Sequence, residues 1–264
     1  MRPELFQLGP FTIHTYTVLV DLGILVGVYI AYREAMRVGF DSDSFFDLAA
    51  WVVFAAIVGS RLYHVLFIDW NYYAADWLRI FRLWEGGFVF QGAFFGGLAA
   101  GLVYLWRRKL SFWVAADFTA LGLVFGHAIG RVGCFFGGCC YGGLCDLPWG
   151  VVFPNLGIGP RHPTQLYEGL ANLAIFGILF AFRKNKPFNG FLFLLYVMLY
   201  SATRFSIEFL RGDPSQMIGS LRVAQAVAAM TCAIAFLLFL FLTYRARRAS
   251  DRVTVRLEER QQVS

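Results

Sequence analysis

The stretch VAQAVAAMTCAIAFLLFLFLTY, Val223 to Tyr244, runs for 22 residues without a charge. Read as a helix, it is long enough to cross a hydrocarbon core of about 30 Å. A second uncharged stretch, Phe88 to Trp106, has 19 residues. The rest of the chain agrees: 58% of its 264 residues are hydrophobic and only 15% charged. That balance excludes a water-soluble globule and an intrinsically disordered chain. Five cysteines against 48 aromatic residues also exclude a disulfide-dense small domain.

An open strand architecture leaves backbone groups unsatisfied in lipid, so the apolar stretches read as helices. The sequence predicts an all-α membrane protein, a polytopic bundle of about seven transmembrane helices near 14–33, 45–68, 88–106, 112–132, 164–182, 189–210 and 220–243. The intervening segments alternate sides. One set holds 14 of the 23 Lys and Arg residues and the opposite set 5, so the positive-inside rule puts the N-terminus outside and the C-terminus in the cytoplasm. Residues 1–248 form one integral membrane domain in this reading, and 249–264 a polar cytoplasmic tail. The formal charge of +6 lies largely in cytoplasmic clusters that meet lipid headgroups, with no nucleic-acid partner implied. Met1 to Ile13 does not read as a cleaved signal peptide.

Ionisable groups inside a membrane helix cost about 2.5–3.5 kcal/mol each at the centre, so each invites a reason. Here ionisable and other polar side chains gather near the outer ends of the spans: His14 and Tyr16, Arg61 and His64, Gln91, His127 and Arg131, Gln165 and Glu168, Arg204 and Glu208. Arg204 and Glu208 stand at i, i+4 and share a helix face, which fits either simple neutralisation or an oriented functional pair. His127 and Arg131 share that spacing but do not neutralise one another, and so suggest an anion. Arg61 and His64 fit headgroup contacts as well as a site. Glycines crowd Arg131, from Gly126 through Gly133 to Gly142 and Gly143. They serve close helix packing, or a broken helix end whose N–H groups face a phosphate.

Cys134, Cys139, Cys140 and Cys145 fall within twelve residues in the pattern C-x4-C-C-x4-C. The spacing lacks paired CxxC knuckles, so no metal is expected. The outer side favours disulfides or a redox role, and a thiol beside a cationic arginine also fits catalysis.

Six segments taken in order resemble the bacterial prolipoprotein diacylglyceryl transferases. His14-Thr15-Tyr16 looks like the family's His-x-Tyr, Gly59 to Phe67 (GSRLYHVLF) like its second-helix segment, and Trp84-Glu85-Gly86-Gly87 like its W-[DE]-G-G turn. Gly130-Arg131-Val132-Gly133 opens like its signature. Pro160 to Glu168 (PRHPTQLYE) is similar almost letter for letter to its R-H-P-[ST]-Q-L-Y-E segment, and Arg204 to Phe209 (RFSIEF) to its R-x-x-x-E-F motif. The resemblance covers nearly the whole chain. It departs at the signature G-R-x-G-N-F-x-N-x-E, where Cys134, Gly137 and Cys139 stand for both asparagines and the glutamate. Gln91 stands for a histidine, and a glutamine cannot act as a base.

The resemblance implies transfer of the diacylglyceryl group of phosphatidylglycerol to the lipobox cysteine of a prolipoprotein, without a cofactor, in a bacterial inner membrane. It implies as partners phosphatidylglycerol, the prolipoprotein signal peptide and membrane lipids. Arg131, Arg204, Glu208, Tyr16, His14 and His162 are the expected catalytic residues. Arg61, Arg131, Gln91, Gly133, Gly142, Gln165 and Glu168 are the expected substrate contacts. Rival readings are a related phosphatidylglycerol-dependent transferase or lipid-binding paralogue with another acceptor, a membrane thiol-redox protein, and a transporter.

Overall fold

A computed structural model describes residues 4–8, 11–82, 86–153, 157, 159–212 and 217–262. Trp84 and Glu85, half of the W-[DE]-G-G resemblance, lie outside the described residues. The protein is helical: α1 (Thr15–Arg37), α2 (Ser42–Tyr63), α3 (Trp70–Ala74), α4 (Phe90–Arg107), α5 (Phe112–Gly137), α6 (Thr164–Phe182), α7 (Phe191–Glu208) and α8 (Val223–Gln262). Two small antiparallel hairpins accompany them, β1 (Glu4–Leu8) with β2 (Phe11–His14), and β3 (Met217–Ile218) with β4 (Leu221–Arg222). The polar segment expected as a tail continues α8 as helix to Gln262.

Six helices are long and apolar enough to cross a membrane: Thr15–Arg37, Ser42–Ile68, Phe112–Gly137, Thr164–Phe182, Phe191–Glu208 and Val223–Arg248. The expected third span is a helix, α4, but it is not among these six. Gln91, four glycines and Arg107 dilute its apolar character. With α4, uncharged from Phe90 to Trp106, as the remaining long apolar helix, the architecture agrees with the expected all-α bundle of about seven transmembrane helices. The protein is a multi-pass membrane protein, and its outward faces agree. On α8, Met230, Ile234, Leu237 and Phe241 are all more than half exposed, an arrangement that lipid accepts and water does not.

The helices group into two compact units, Tyr32–Ala115 and a larger one made of Met1–Ala31 with Ala116–Ser264. In the smaller unit, α2 and α4 cross at glycines. A Cβ on Gly59 would lie 2.5 Å from the carbonyl oxygen of Gly92, so only glycine permits that approach. Asp41 caps α2 by accepting from the Ser44 N–H at 2.8 Å. Ser60 Oγ accepts from the Val89 N–H at 2.7 Å and donates to the Val89 carbonyl at 3.0 Å, fixing the entry to α4.

In the larger unit, α1 and α5 use the same device. A Cβ on Gly23 would lie 2.7 Å from the Gly126 carbonyl oxygen, and one on Gly27 2.8 Å from that of Gly122. Leu121 and Val124 of α5, Ile175 and Leu179 of α6, and Leu192 and Tyr196 of α7 form the buried core. Asp117 of α5, 2% exposed, ties this core to the start of α7. Its carboxylate accepts from Lys186 Nζ at 2.7 Å, the Gly190 N–H at 2.9 Å and the Phe193 N–H at 3.1 Å. Two of these donors are N–H groups at the helix start that have no intrahelical partner. Removing one member of a buried ion pair typically costs about 3–5 kcal/mol. Asp117→Ala is therefore expected to lower the thermal unfolding midpoint of the detergent-solubilised protein well below that of Asp117→Asn, and an unchanged midpoint would contradict this role.

Candidate active site

Five helix ends of the larger unit supply the site: the start of α1, the end of α5, the start of α6, the end of α7 and the start of α8. Helical spacing does the first part of the assembly. On α6, Gln165, Glu168 and Asn172 recur at intervals of three and four, so they share one face, and all three are at most 1% exposed. On α7 and the turn after it, Arg204, Glu208 and Arg211 recur in the same way.

Glu168 is the hub. Its Oε1 lies 2.9 Å from Arg204 Nη1 and 3.9 Å from Arg211 Nη1, and its Oε2 lies 2.5 Å from Arg131 Nε. The contact with Arg131 is an ion pair rather than a directed hydrogen bond, because the Nε–H points at His127 Nε2, 3.1 Å away. His127 thus accepts at Nε2 and carries its hydrogen on Nδ1, an assignment that follows from the network. The ring of Tyr200 lies 5.2 Å from that of His127 and stacks on Tyr196 at 5.8 Å. The His127 and Arg131 spacing suggested an anion, and the protein itself supplies one in Glu168.

Glu208 is the second anion. Arg204 Nη2 lies 2.8 Å from its Oε2, as the i, i+4 spacing predicts, Arg222 Nη1 lies 3.4 Å from its Oε1, and Arg211 Nε lies 3.9 Å from Oε2. Arg222 also donates to the Arg211 carbonyl at 3.0 Å. Both carboxylate side chains are 2% exposed, and the four guanidinium groups range from 8% to 25%. Four cations around two anions leave an excess of two positive charges in a largely dehydrated setting. Such an array is built to receive a further anion.

Arg211 and Arg222 were not among the expected site residues. Arg211 stands three residues after Glu208, in register with Arg204, and that spacing was its only signal. Arg222 reaches the site through the β3–β4 hairpin, which no periodicity reveals.

The loop after α5 closes over the cluster by backbone pairing. The Gly142 N–H donates to the His162 carbonyl at 2.9 Å, the Gly143 N–H to the Leu210 carbonyl at 2.9 Å, and the Gly212 N–H to the Tyr141 carbonyl at 3.2 Å. A Cβ on Gly142 would lie 2.5 Å from His162 Cβ and 2.7 Å from the Leu210 carbonyl oxygen. Glycine is therefore required there for steric reasons. Gly133 faces α1, where an added Cβ would stand 3.3 Å from both Leu19 Cβ and the Tyr16 carbonyl oxygen. Gln165 donates to the Cys139 carbonyl at 2.6 Å and Thr164 to that of Cys140 at 2.8 Å.

The thiols of Cys134, Cys139 and Cys140 lie within 4.8 Å of one another, and all five cysteines are free. Hydrogen bonds from Cys134 and Cys139, with Arg211 nearby, hold the Cys140 thiol well below the usual thiol range. A cleft of about 270 Å³ beside them is lined by His14, Tyr16, Thr17, Gly137 and Cys139. His162 Nδ1 lies 3.4 Å from the Tyr167 hydroxyl, which itself accepts from Trp149 Nε1 at 2.8 Å.

Two expected substrate contacts, Arg61 and Gln91, belong to the smaller unit. Arg61, 4% exposed, donates to the carbonyls of Ile80 at 3.0 Å, Arg79 at 2.8 Å and Arg82 at 3.1 Å, and to that of Gly86. These bonds take up all but one of its N–H groups, and its guanidinium also lies over the Tyr73 ring. The geometry is that of a clamp on the backbone at Arg79, Ile80, Arg82 and Gly86. Gln91 is exposed in the first turn of α4.

A multi-pass membrane protein with a buried, net-positive arginine–carboxylate cluster at its helix ends is one equipped to handle an anionic group at the membrane. The chain belongs to the prolipoprotein diacylglyceryl transferase family, whose model matches residues 3–241. It is 38% identical to the phosphatidylglycerol–prolipoprotein diacylglyceryl transferase of Acaryochloris marina over 258 residues, 94% of this chain and 93% of that one. Identity is also 38% to the proteins of the same name from Clostridioides difficile, over 84% of this chain and 88% of that one, and Geobacillus kaustophilus, over 96% and 95%.

Replacing Glu168 with Gln keeps the shape of the hub and removes its charge, leaving the guanidinium groups to repel one another. The expected result is a fall in stability of about 3–5 kcal/mol, larger than for Glu208→Gln because Glu168 bridges two other helices. Comparison of the two thermal unfolding midpoints checks the order, and equal midpoints would refute the hub assignment.

Proposed function

We propose that this protein transfers the diacylglyceryl group of phosphatidylglycerol to the lipobox cysteine of a prolipoprotein, forming a thioether and releasing glycerol phosphate. The observation that carries this reading is the excess of two positive charges around Glu168 and Glu208, in a chain of this family. The donor's phosphodiester is an anion anchored in the bilayer, and its phosphate gains charge as the carbon–oxygen bond breaks. Cations already in place, in a site that excludes water, stabilise that developing charge with little reorganisation.

Arg131 and Arg204 are the clamp, each able to present two N–H groups to two phosphate oxygens. Glu168 and Glu208 hold both guanidinium planes, and Arg211 and Arg222 add charge from behind. Neither amide atom of the buried Asn172, nor Oε1 of Gln165, has a hydrogen-bond partner among the described residues. The hydroxyl groups of the lipid's glycerol head would satisfy them. A groove of about 420 Å³ between α6 and α7, lined by Ala171, Ile175, Leu199, Ala202, Thr203, Ser206 and Ile207, lies within a turn of Arg204 and suits an acyl chain.

The acceptor thiol attacks the glycerol carbon that bears the phosphate. A carbon–sulfur bond forms, the carbon–oxygen bond breaks, its electron pair leaves on the phosphate, and the thiol proton passes to the departing phosphate or to water. His14 and Tyr16 line the cleft beside the cluster, on the side from which a signal-peptide cysteine would enter. Through its backbone carbonyl, which accepts from the Gly142 N–H, His162 orders the loop that carries Gly142. Arg61 holds the backbone carbonyls of Arg79, Ile80, Arg82 and Gly86 in place.

The excess of Lys and Arg on the opposite helix ends supports a bacterial inner-membrane orientation with the N-terminus outside, the C-terminus cytoplasmic and the site opening outward. Arg131→Ala is expected to reduce transfer by about 10²–10³-fold, with phosphatidylglycerol labelled in its acyl chains and a lipobox peptide as substrates. The variant should fold, since Arg204 still neutralises Glu168. Transfer at the wild-type rate would overturn this role for Arg131. A cysteine peptide that gains no thioether from wild-type protein, although the lipid binds, would point to a lipid-binding paralogue with another acceptor.

A further inference from the structure

Cys134 sits in the last turn of α5, and the chain then reverses through Gly138 (φ 68°) and Cys140 (φ 62°). Cys140 is the less expected of the two, because a non-glycine residue in the left-handed region carries local strain. The reversal folds Cys139 and Cys140 back onto Cys134. The Cys139 N–H donates to the Cys134 carbonyl at 3.3 Å and the Gly138 N–H to that of Phe135 at 3.2 Å. From outside, Gln165 and Thr164 hold the carbonyls of Cys139 and Cys140. Three sulfur atoms are thereby gathered within 4.8 Å of one another by a turn that is itself buttressed from α6.

Thiolates bound tetrahedrally to zinc at about 2.3 Å stand about 3.8 Å apart, so a small contraction of this cluster completes three corners. The surrounding charge suits it. Three thiolates and a divalent cation sum to one negative charge, next to an arginine cluster with two positive charges to spare. Cys139 also lines the cleft with His14 and Tyr16, so a fourth ligand would reach the metal from there. Three protein ligands with one open position is the arrangement of a catalytic rather than a structural zinc site.

We propose that Cys134, Cys139 and Cys140 bind a thiophilic divalent cation of the zinc class, whose open position receives the acceptor's thiol. The identity of that fourth ligand rests on the function proposed above; the three-thiolate site does not. The chemistry balances without an oxidant. The acceptor sulfur bonds to the metal and its proton passes to water in the cleft. The bound sulfur then attacks the glycerol carbon, and the carbon–oxygen electron pair leaves on the phosphate, which takes up a proton. The thioether, a poorer ligand, departs. A chain with Gln91 where its family's pattern has histidine would by this route obtain a nucleophilic sulfur without a basic side chain at that position.

The full chain, in detergent and reduced by a phosphine, is titrated with cobalt(II). One equivalent should give thiolate-to-cobalt charge transfer and the visible bands of a four-coordinate ion, both displaced by one equivalent of zinc. Cys134→Ser, Cys139→Ser and Cys140→Ser should each weaken the charge transfer, and Cys232→Ser should not. As a test free of any folding defect in the variants, zinc should lower the number of maleimide-reactive cysteines in the wild-type protein by three. The same cobalt spectrum from the triple variant, or no protection of the thiols, overturns the site. So does a disulfide joining two of the three cysteines in protein isolated from the membrane.

Adding a lipobox peptide should shift the visible bands, and its serine analogue should not; no shift overturns the fourth-ligand assignment. Transfer at full rate by metal-free protein would leave the proposed reaction standing and remove the metal from it. A cobalt-loaded protein with its thiolate spectrum intact but no transferase activity would keep the site and remove the reaction.

Discussion

The Glu168 carboxylate is the constraint around which the larger unit is organised. A single anion, 2% exposed, faces Arg131 of α5 at 2.5 Å and Arg204 of α7 at 2.9 Å, and reaches Arg211 beyond the end of α7. None of these charges is tolerable in a bilayer alone. Each is stable there because the others are, so three elements must meet in one register for any of them to insert. The glycine contacts of α1 with α5 and the Asp117 anchor at the start of α7 serve the same end, since both fix the helices whose far ends carry the arginines.

The cluster also separates the work of orientation from the work of binding. Glu168 and Glu208 use part of each guanidinium and leave the array positive as a whole. A neutral cluster would only make the helices insertable. The surplus gives it a reason to attract a phosphodiester, and burial makes that attraction worth more than it would be in water. The thiol cluster, which begins with Cys134 one turn beyond Arg131 on α5, lies within the reach of the same field. The arginines and the thiols therefore belong to a single electrostatic neighbourhood.

Much of the architecture was legible in the sequence, because transfer of backbone and charge into hydrocarbon imposes length and periodicity that any reader can count. The spans near Val223, Thr164 and Phe191 lie close to where apolar run length puts them. The stretch at 88–106 forms the helix its lack of charge predicts, and its glycines serve the α2 crossing at Gly59, a contact that run length does not reveal. The Arg204–Glu208 pair was legible for the same reason that helices are, a repeat of 3.6 residues. A buried arginine looks the same in sequence whatever it meets, and only the structure shows Arg61 on a row of backbone carbonyls.

Sequence alone determined the helical class, the membrane as solvent, the family resemblance and the residue types available for chemistry, since all of these follow from composition and local spacing. Only the tertiary structure decided the partners: that Glu168 joins α5 to α7, that Arg222 arrives through a hairpin, and that three cysteines of a C-x4-C-C run converge while Cys145 does not belong to their group. Those outcomes depend on distances between residues remote along the chain and on one left-handed turn at Gly138 and Cys140. Periodicity carries no information about either, because it describes a helix by itself and not what its end will meet.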